Sequence, residues 1–131
     1  MRVMQESEKK TKILLIEDDL FMSDILTQAL ERSGFQAIGA KNGAEGLKEF
    51  QETRPALILL DLLLPDENGL DTLRKIRRCE GGADVKVIVL SNLSRESNFE
   101  EAKRLGAADY MVKVNFSLDE IIDKIRSVLA E

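Results

Sequence analysis

Apolar residues along this chain fall in short continuous runs, separated by longer segments in which they recur every three or four positions. The runs are Ile13–Ile16, Phe35–Ala40, Ala56–Leu60, Val85–Leu90 and Tyr110–Val112. The central runs are apolar without alternation, which predicts strands covered on both faces, as in a parallel sheet. The intervening segments have helical period. Leu20–Ser33 places Phe21, Ile25, Leu26, Ala29 and Leu30 on one stripe, Ala44–Glu52 carries Leu47 and Phe50, and Leu70–Arg78 carries Leu70, Leu73 and Ile76. Arg95–Leu105 follows with Phe99, Ala102 and Leu105, then Leu118–Leu129 with Ile121, Ile122, Ile125, Val128 and Leu129. The punctuation agrees. Asn42…Glu45 and Ser117…Glu120 have capping-box spacing, Ser94 is placed to cap the fourth helix, and Gly34 and Gly106 stand where the first and fourth helices should end.

Five strand–helix units in this rhythm predict an open α/β fold with helices on both faces, a doubly wound five-stranded parallel sheet, because right-handed crossovers distribute the helices according to strand order. Sheets of this kind bind ligands beyond the carboxyl ends of their strands, where the strand order reverses. Residues 1–10 (MRVMQESEKK) are polar and aperiodic, so a flexible leader is expected there and one domain over 11–131.

Composition narrows the chemistry. The chain has 131 residues, a hydrophobic share of 44% and a charged share of 33%, the profile of one soluble domain with an aliphatic core. A formal net charge of −5 argues against direct nucleic-acid binding, which needs clustered Lys and Arg in excess. No apolar stretch is long enough to span a bilayer and no charged-then-apolar segment opens the chain, so no membrane association and a cytoplasmic setting are expected. There is no histidine. That removes Ser-His and Cys-His catalysis and most zinc sites, and it leaves the single Cys79 as a helix-end residue. Carboxylates, hydroxyls and lysines remain.

These are what the strand ends carry. The first strand runs into Glu17-Asp18-Asp19, the third into Asp61, the fourth into Ser91-Asn92 and the fifth into Lys113. Taken singly, each has an ordinary explanation: acids suit the start of a helix, Asp61 suits a turn before Pro65, Ser91 suits a loop cap, and Lys113 suits a surface. Together they put a cluster of acids, a hydroxyl and an ammonium at one sheet edge. Acids at such range repel one another unless a cation lies among them, and hard oxygen ligands without His or Cys favour Mg²⁺, with Mn²⁺ as a substitute. A lysine and a hydroxyl opposite would suit a phosphoryl group, so the constellation describes phosphoryl transfer to a carboxylate.

From Ile13 to about Leu129 these residues resemble the receiver domain of two-component response regulators. The matching segments are ILLIEDD, LILLDLLLPDENGLD around Asp61, VIVLSN ending near Ser91, and GAADYMVK leading to Lys113. The resemblance implies a flavodoxin-like strand order 2-1-3-4-5. It implies Asp61 as phospho-acceptor, Glu17 and Asp18 as the acidic pair that holds Mg²⁺ beside Asp61, and Leu63 as donor of a backbone carbonyl to the metal. Ser91 and Lys113 would contact the phosphoryl oxygens, and Tyr110 would be an aromatic switch that turns inward as Ser91 moves. The implied protein catalyses its own phosphorylation and dephosphorylation but acts as a switch. Its donor would be a histidine kinase or histidine phosphotransfer protein, since a histidine-free chain supplies no phosphohistidine. The responding surface would be the fourth helix, fifth strand and fifth helix, facing a downstream effector or output domain, or a dimer formed on phosphorylation.

Departures from the family pattern sharpen the expectations. Val114 follows Lys113 where the family usually has proline, and a non-proline cis bond costs about 2.5–4 kcal/mol, so a trans loop and a displaced Lys113 are expected. Asn92 borders the pocket in place of a small residue. Leu63 and Leu93 set apolar side chains two places past Asp61 and Ser91, which predicts slow hydrolysis of a phosphoryl state. Val114 and Asn92 keep an alternative open, a non-phosphorylated pseudo-receiver that serves as a docking module. Two other rivals fare worse: a dehalogenase-type phosphatase needs a second acid where Leu63 stands, and a flavodoxin needs a Ser/Thr/Gly-rich first loop rather than Glu17-Asp18-Asp19.

Overall fold

The computed structural model describes residues 10–131. The expected leader therefore lies, apart from an exposed Lys10, outside the described residues. The chain alternates β1 (Lys12–Ile16), α1 (Leu20–Arg32), β2 (Gln36–Ala40), α2 (Gly43–Thr53), β3 (Leu57–Leu60), α3 (Gly69–Arg78), β4 (Lys86–Ser91), α4 (Glu96–Arg104), β5 (Asp109–Val112) and α5 (Leu118–Leu129). All strand pairings are parallel and the order is β2-β1-β3-β4-β5. The doubly wound sheet and the flavodoxin-like order are as expected.

The uninterrupted apolar runs are explained by two cores. Strand residues Ile13, Leu15, Leu57, Leu59, Ile88 and Leu90 pack with Leu26 and Leu30 of α1 and Ile121, Ile122, Ile125 and Val128 of α5. Their neighbours Leu14, Ile16, Ile58, Leu60, Val87 and Val89 pack with Phe50 of α2, Leu70, Leu73 and Ile76 of α3 and Ala102 of α4. Side chains alternate between the faces at period two, and each face meets helices, so the central positions of β1, β3 and β4 are apolar without alternation.

Helix ends follow the predicted punctuation with two corrections. Ser117 and Glu120 form a full capping box, and Gly34 and Gly106 follow their helices with φ of +94° and +79°. At α2 the Asn42 side chain accepts from Glu45 N, but the Glu45 carboxylate accepts from Lys41 N, one residue earlier than a capping box requires. Ser94 does not cap the fourth helix. The helix starts one residue later than expected, Arg95 occupies the cap position, and no side chain satisfies the first-turn amides. Phe21 is also corrected: it lies 74% exposed in the first turn of α1, beside the acidic loop rather than over the sheet.

One side chain unsuspected from sequence ties three segments together at the other edge. Arg77, near the end of α3, donates from Nε to Leu105 O (2.8 Å), from Nη1 to Val85 O (2.7 Å) and Gly82 O (3.0 Å), and from Nη2 to Gly106 O (3.1 Å). Burial holds its guanidinium below its ordinary pKa. A fork of fixed donors meets four carbonyls that a single ammonium could not span. Replacing Arg77 by Lys or Met should therefore cost about 2–3 kcal/mol in urea unfolding, because buried carbonyls lose donors. Arg78→Ala, at an exposed position on the same turn, should stay within about 0.5 kcal/mol.

Candidate metal and phosphoryl site at the carboxyl edge

The backbone register alone brings the acids together. Ile16 pairs with Leu60, and Asp61 N donates to Ile16 O at 3.0 Å, so Glu17 and Asp61 leave adjacent strands side by side. Both are buried, at 2% and 6% exposure, while Asp18 is exposed. Carboxylate oxygens of Glu17, Asp18 and Asp61 lie within 4.8 Å of one another, a group that can hold a metal ion. Asp19, the last of the acidic run, serves the helix instead: its carboxylate accepts from Phe21 N and Met22 N and caps α1.

Lys113 reaches this pair from the far side of β4. Its Nζ donates to Glu17 Oε1 at 2.5 Å and Asp61 Oδ2 at 3.1 Å. The expected displacement of Lys113 is thereby corrected. No cis peptide bond occurs among the described residues, and a 3₁₀ turn over Lys113–Asn115 carries the chain onward while the lysine stem still reaches the acids. Burial alone would pull the ammonium down, but the Glu17 and Asp61 carboxylates outweigh it and hold it above its ordinary pKa. At Glu17, burial pushes the carboxyl up, Asp61 adds to the rise, and the Lys113 bond opposes it without cancelling it. One ammonium shared by two buried carboxylates leaves net negative charge, so the donor set of hard oxygens fits a small divalent cation such as Mg²⁺.

Ser91 ends β4, fully buried, with its Oγ accepting from Leu93 N at 3.4 Å. Asn92 beside it is exposed. Tyr110 is half-buried in β5. Its hydroxyl donates to Leu93 O at 2.6 Å, and its ring meets Phe99 of α4 edge-on at 4.4 Å, which links β5, the loop after Ser91 and α4. Leu63 follows Asp61 in the β3–α3 loop, its amide donating to Asp61 Oδ1 at 3.3 Å and its side chain 56% exposed.

That loop is held by contacts that no local sequence signal announces. Gly69 N donates to Leu62 O and Leu63 bridges Asn68, closing the base. At the tip, Asp66 accepts from Gly43 N (2.8 Å) and Ala44 N (3.0 Å) of α2, while Glu67 accepts from Thr72 Oγ1 (2.5 Å) and Lys75 Nζ (2.6 Å) of α3. The chain must also be glycine at position 69, where a Cβ would lie 2.2 Å from Asp61 O.

The sequence profile of the response regulator receiver domain family matches residues 13–126, and the chain belongs to that family. It is 31% identical over 117 residues to the phosphate regulon transcriptional regulatory protein PhoB of Pseudomonas aeruginosa, covering 89% of this chain and 51% of that protein. It is 28% identical over 118 residues to the chemotaxis protein CheY of Thermotoga maritima, covering 89% of this chain and 96% of that one. The chain thus spans about half the length of the transcriptional regulators it matches and nearly all of CheY. A solved CheY-like receiver domain protein from Methanospirillum hungatei superposes with a TM-score of 0.87 at 27% identity, over 93% of this chain and 95% of that one. No helix among the described residues is long and apolar enough to cross a membrane.

The crowding of Glu17 sets a sign for metal-free stability. A carboxyl whose folded pKa is raised binds protons more readily folded than unfolded. Its stabilising contribution is present below the ordinary Glu pKa of about 4.3 and is lost as pH rises through the folded value. Glu17→Gln should therefore raise the melting temperature in EDTA at neutral pH, flatten the pH dependence above that point, and abolish any rise produced by Mg²⁺. Calorimetry across pH checks this; a lower melting temperature for the variant at neutral pH would show that the Lys113 ion pair outweighs the crowding.

Proposed function

We propose that this receiver domain is a working phospho-switch in which Asp61 accepts a phosphoryl group from a phosphohistidine on another protein. The observation that carries the reading is the convergence of Glu17, Asp18, Asp61 and Lys113 at one corner of the carboxyl edge. Glu17 and Asp18 would hold Mg²⁺ together with Asp61 and the Leu63 carbonyl. Bound there, the ion neutralises charge on the transferred oxygens. An Asp61 carboxylate oxygen attacks phosphorus in line, the P–N bond breaks, and its electron pair returns to the donor imidazole. Asp61 becomes an acyl phosphate.

Lys113 has the reach to follow this change. Its ammonium already sits 3.1 Å from Asp61 Oδ2, and it would turn from Glu17 to a phosphoryl oxygen. Ser91 would give up its contact with the Leu93 amide and donate its hydroxyl to another oxygen. Movement of that loop pulls directly on Tyr110, whose hydroxyl is bonded to Leu93 O, and through Phe99 on α4. The added charge of roughly −1.5 to −2 biases this two-state element, and the α4–β5–α5 surface carries the change to an effector, an output domain or a second copy. The donor is a histidine kinase or phosphotransfer protein, and the setting is the cytoplasm. The chain itself is not expected to contact nucleic acid.

Intact-mass spectrometry after incubation with acetyl phosphate and Mg²⁺ tests the reading. A single phosphoryl adduct is expected, absent in Asp61→Asn and in EDTA. No adduct together with no Mg²⁺ binding would favour a docking module that is not phosphorylated. The same experiment times the adduct. Leu63, two places past Asp61, carries an apolar side chain with no group to orient an attacking water, so the adduct should outlast seconds, and Leu63→Asn should shorten its life severalfold.

A further inference from the structure

We propose that Asp66 is a positioning residue for the metal-binding loop: by clasping the N-terminus of α2 it fixes where the Leu63 carbonyl lies relative to Asp61. The inference deepens the phosphoryl-transfer reading above and rests on it. Between Leu62 and Gly69 the loop has one apolar anchor, Leu64, half-buried against the second core, while Leu63, Pro65 and Asp66 are exposed. The rest of its placement comes from polar contacts. The base is closed by Gly69 N donating to Leu62 O, which still leaves the loop free to hinge about that closure. Glu67 ties the tip to α3, the helix into which the loop itself runs. Among the described residues, the Asp66 carboxylate supplies the side-chain hydrogen bonds that tie the tip to a different element, more than twenty residues away in the chain, through Gly43 N and Ala44 N.

Two further observations fit the clasp. Asn42 caps Glu45 N through its side chain, and its carbonyl takes the first intrahelical bond from Gly46 N, which leaves Gly43 N and Ala44 N for Asp66. The surfaces are also matched in shape. A Cβ on Gly43 would lie 2.5 Å from both Glu67 Oε2 and Thr72 Oγ1, so α2 can approach the loop this closely only with glycine there. Asp66 therefore acts on the metal through Leu63 and touches neither metal nor substrate. Outer-shell groups of this kind orient ligands without contacting the ion.

The test compares full-length wild type, Asp66→Ala, Asp66→Asn and Asn42→Ala by Mg²⁺ titration calorimetry, with amide hydrogen exchange at Leu63 and Leu64 in EDTA. Asn42→Ala damages the same helix end without touching the loop. Asp66→Ala should weaken Mg²⁺ binding roughly three- to tenfold, less than the 10–100-fold typical of a group bonded directly to a ligand. It should also speed exchange at Leu63 and Leu64. Asp66→Asn, which keeps an acceptor, should recover part of both effects, and Asn42→Ala should lower the melting temperature yet leave affinity and exchange as in wild type. Unchanged affinity and exchange in Asp66→Ala, or equal loss in Asn42→Ala, overturns the positioning role. Absent Mg²⁺ binding in wild type overturns the phosphoryl-transfer reading itself and the role of Asp66 with it.

Discussion

Two carboxylates are buried side by side because the backbone leaves them no alternative. Glu17 and Asp61 are the first residues past two paired strands whose side chains are packed on both faces, so neither strand can slip without exposing a core. Register in a two-faced sheet is specified by that burial. The repulsion it forces is offset by Lys113 and is relieved fully only by more positive charge. A small divalent cation is the kind of charge that would relieve such a corner.

The attachments on the two sides of the site are unequal. Around Asp61 the chain is tightly held: Gly69 lies against the Asp61 carbonyl, the β3–α3 loop is tied to α2 and α3, and Asp61 N is bonded to β1. Beyond Ser91 the attachments thin out. The first turn of α4 lacks a side-chain cap, and its links to neighbouring elements are side-chain contacts such as Phe99 against Tyr110 and Arg74 of α3 to Glu101 at 2.6 Å. The far end of α4 is held more firmly, where Arg77 bonds the carbonyls of Leu105 and Gly106. A helix weakly held at the end near the site and fixed at the other is suited to swing about its fixed end. The Arg74–Glu101 pair is only partly buried and, among the described residues, is one of few polar ties between α4 and its neighbours.

Tyr110 illustrates how position changes meaning. As a strand aromatic it packs against Phe99, which suffices to explain its half-burial. Its hydroxyl, however, is bonded to the carbonyl two residues past Ser91, so the ring cannot move independently of the loop that would respond to a phosphoryl group. The ordinary packing role and the proposed signalling role would use the same contacts.

The apolar runs, their spacing and the identity of the residue after each run were enough to specify the sheet, its two-faced burial, and the set Glu17, Asp18, Asp61, Ser91 and Lys113 at one edge. This information is legible because parallel strands buried on both sides must be continuously apolar, and because their ends must then carry the polar chemistry. Helix ends were legible where the capping contact is local, as at Ser117–Glu120, and misread where none forms, as at Ser94. What only the tertiary structure decided is what long-range contacts decide. Lys113 stays in the site despite Val114, because its reach depends on where β5 lies relative to β1 and β3. Phe21 is exposed because, among the described residues, no element packs over the first turn of α1. Arg77 and Asp66 bind backbone groups far away in the chain, and a backbone carbonyl or amide has no residue identity for a sequence to reveal.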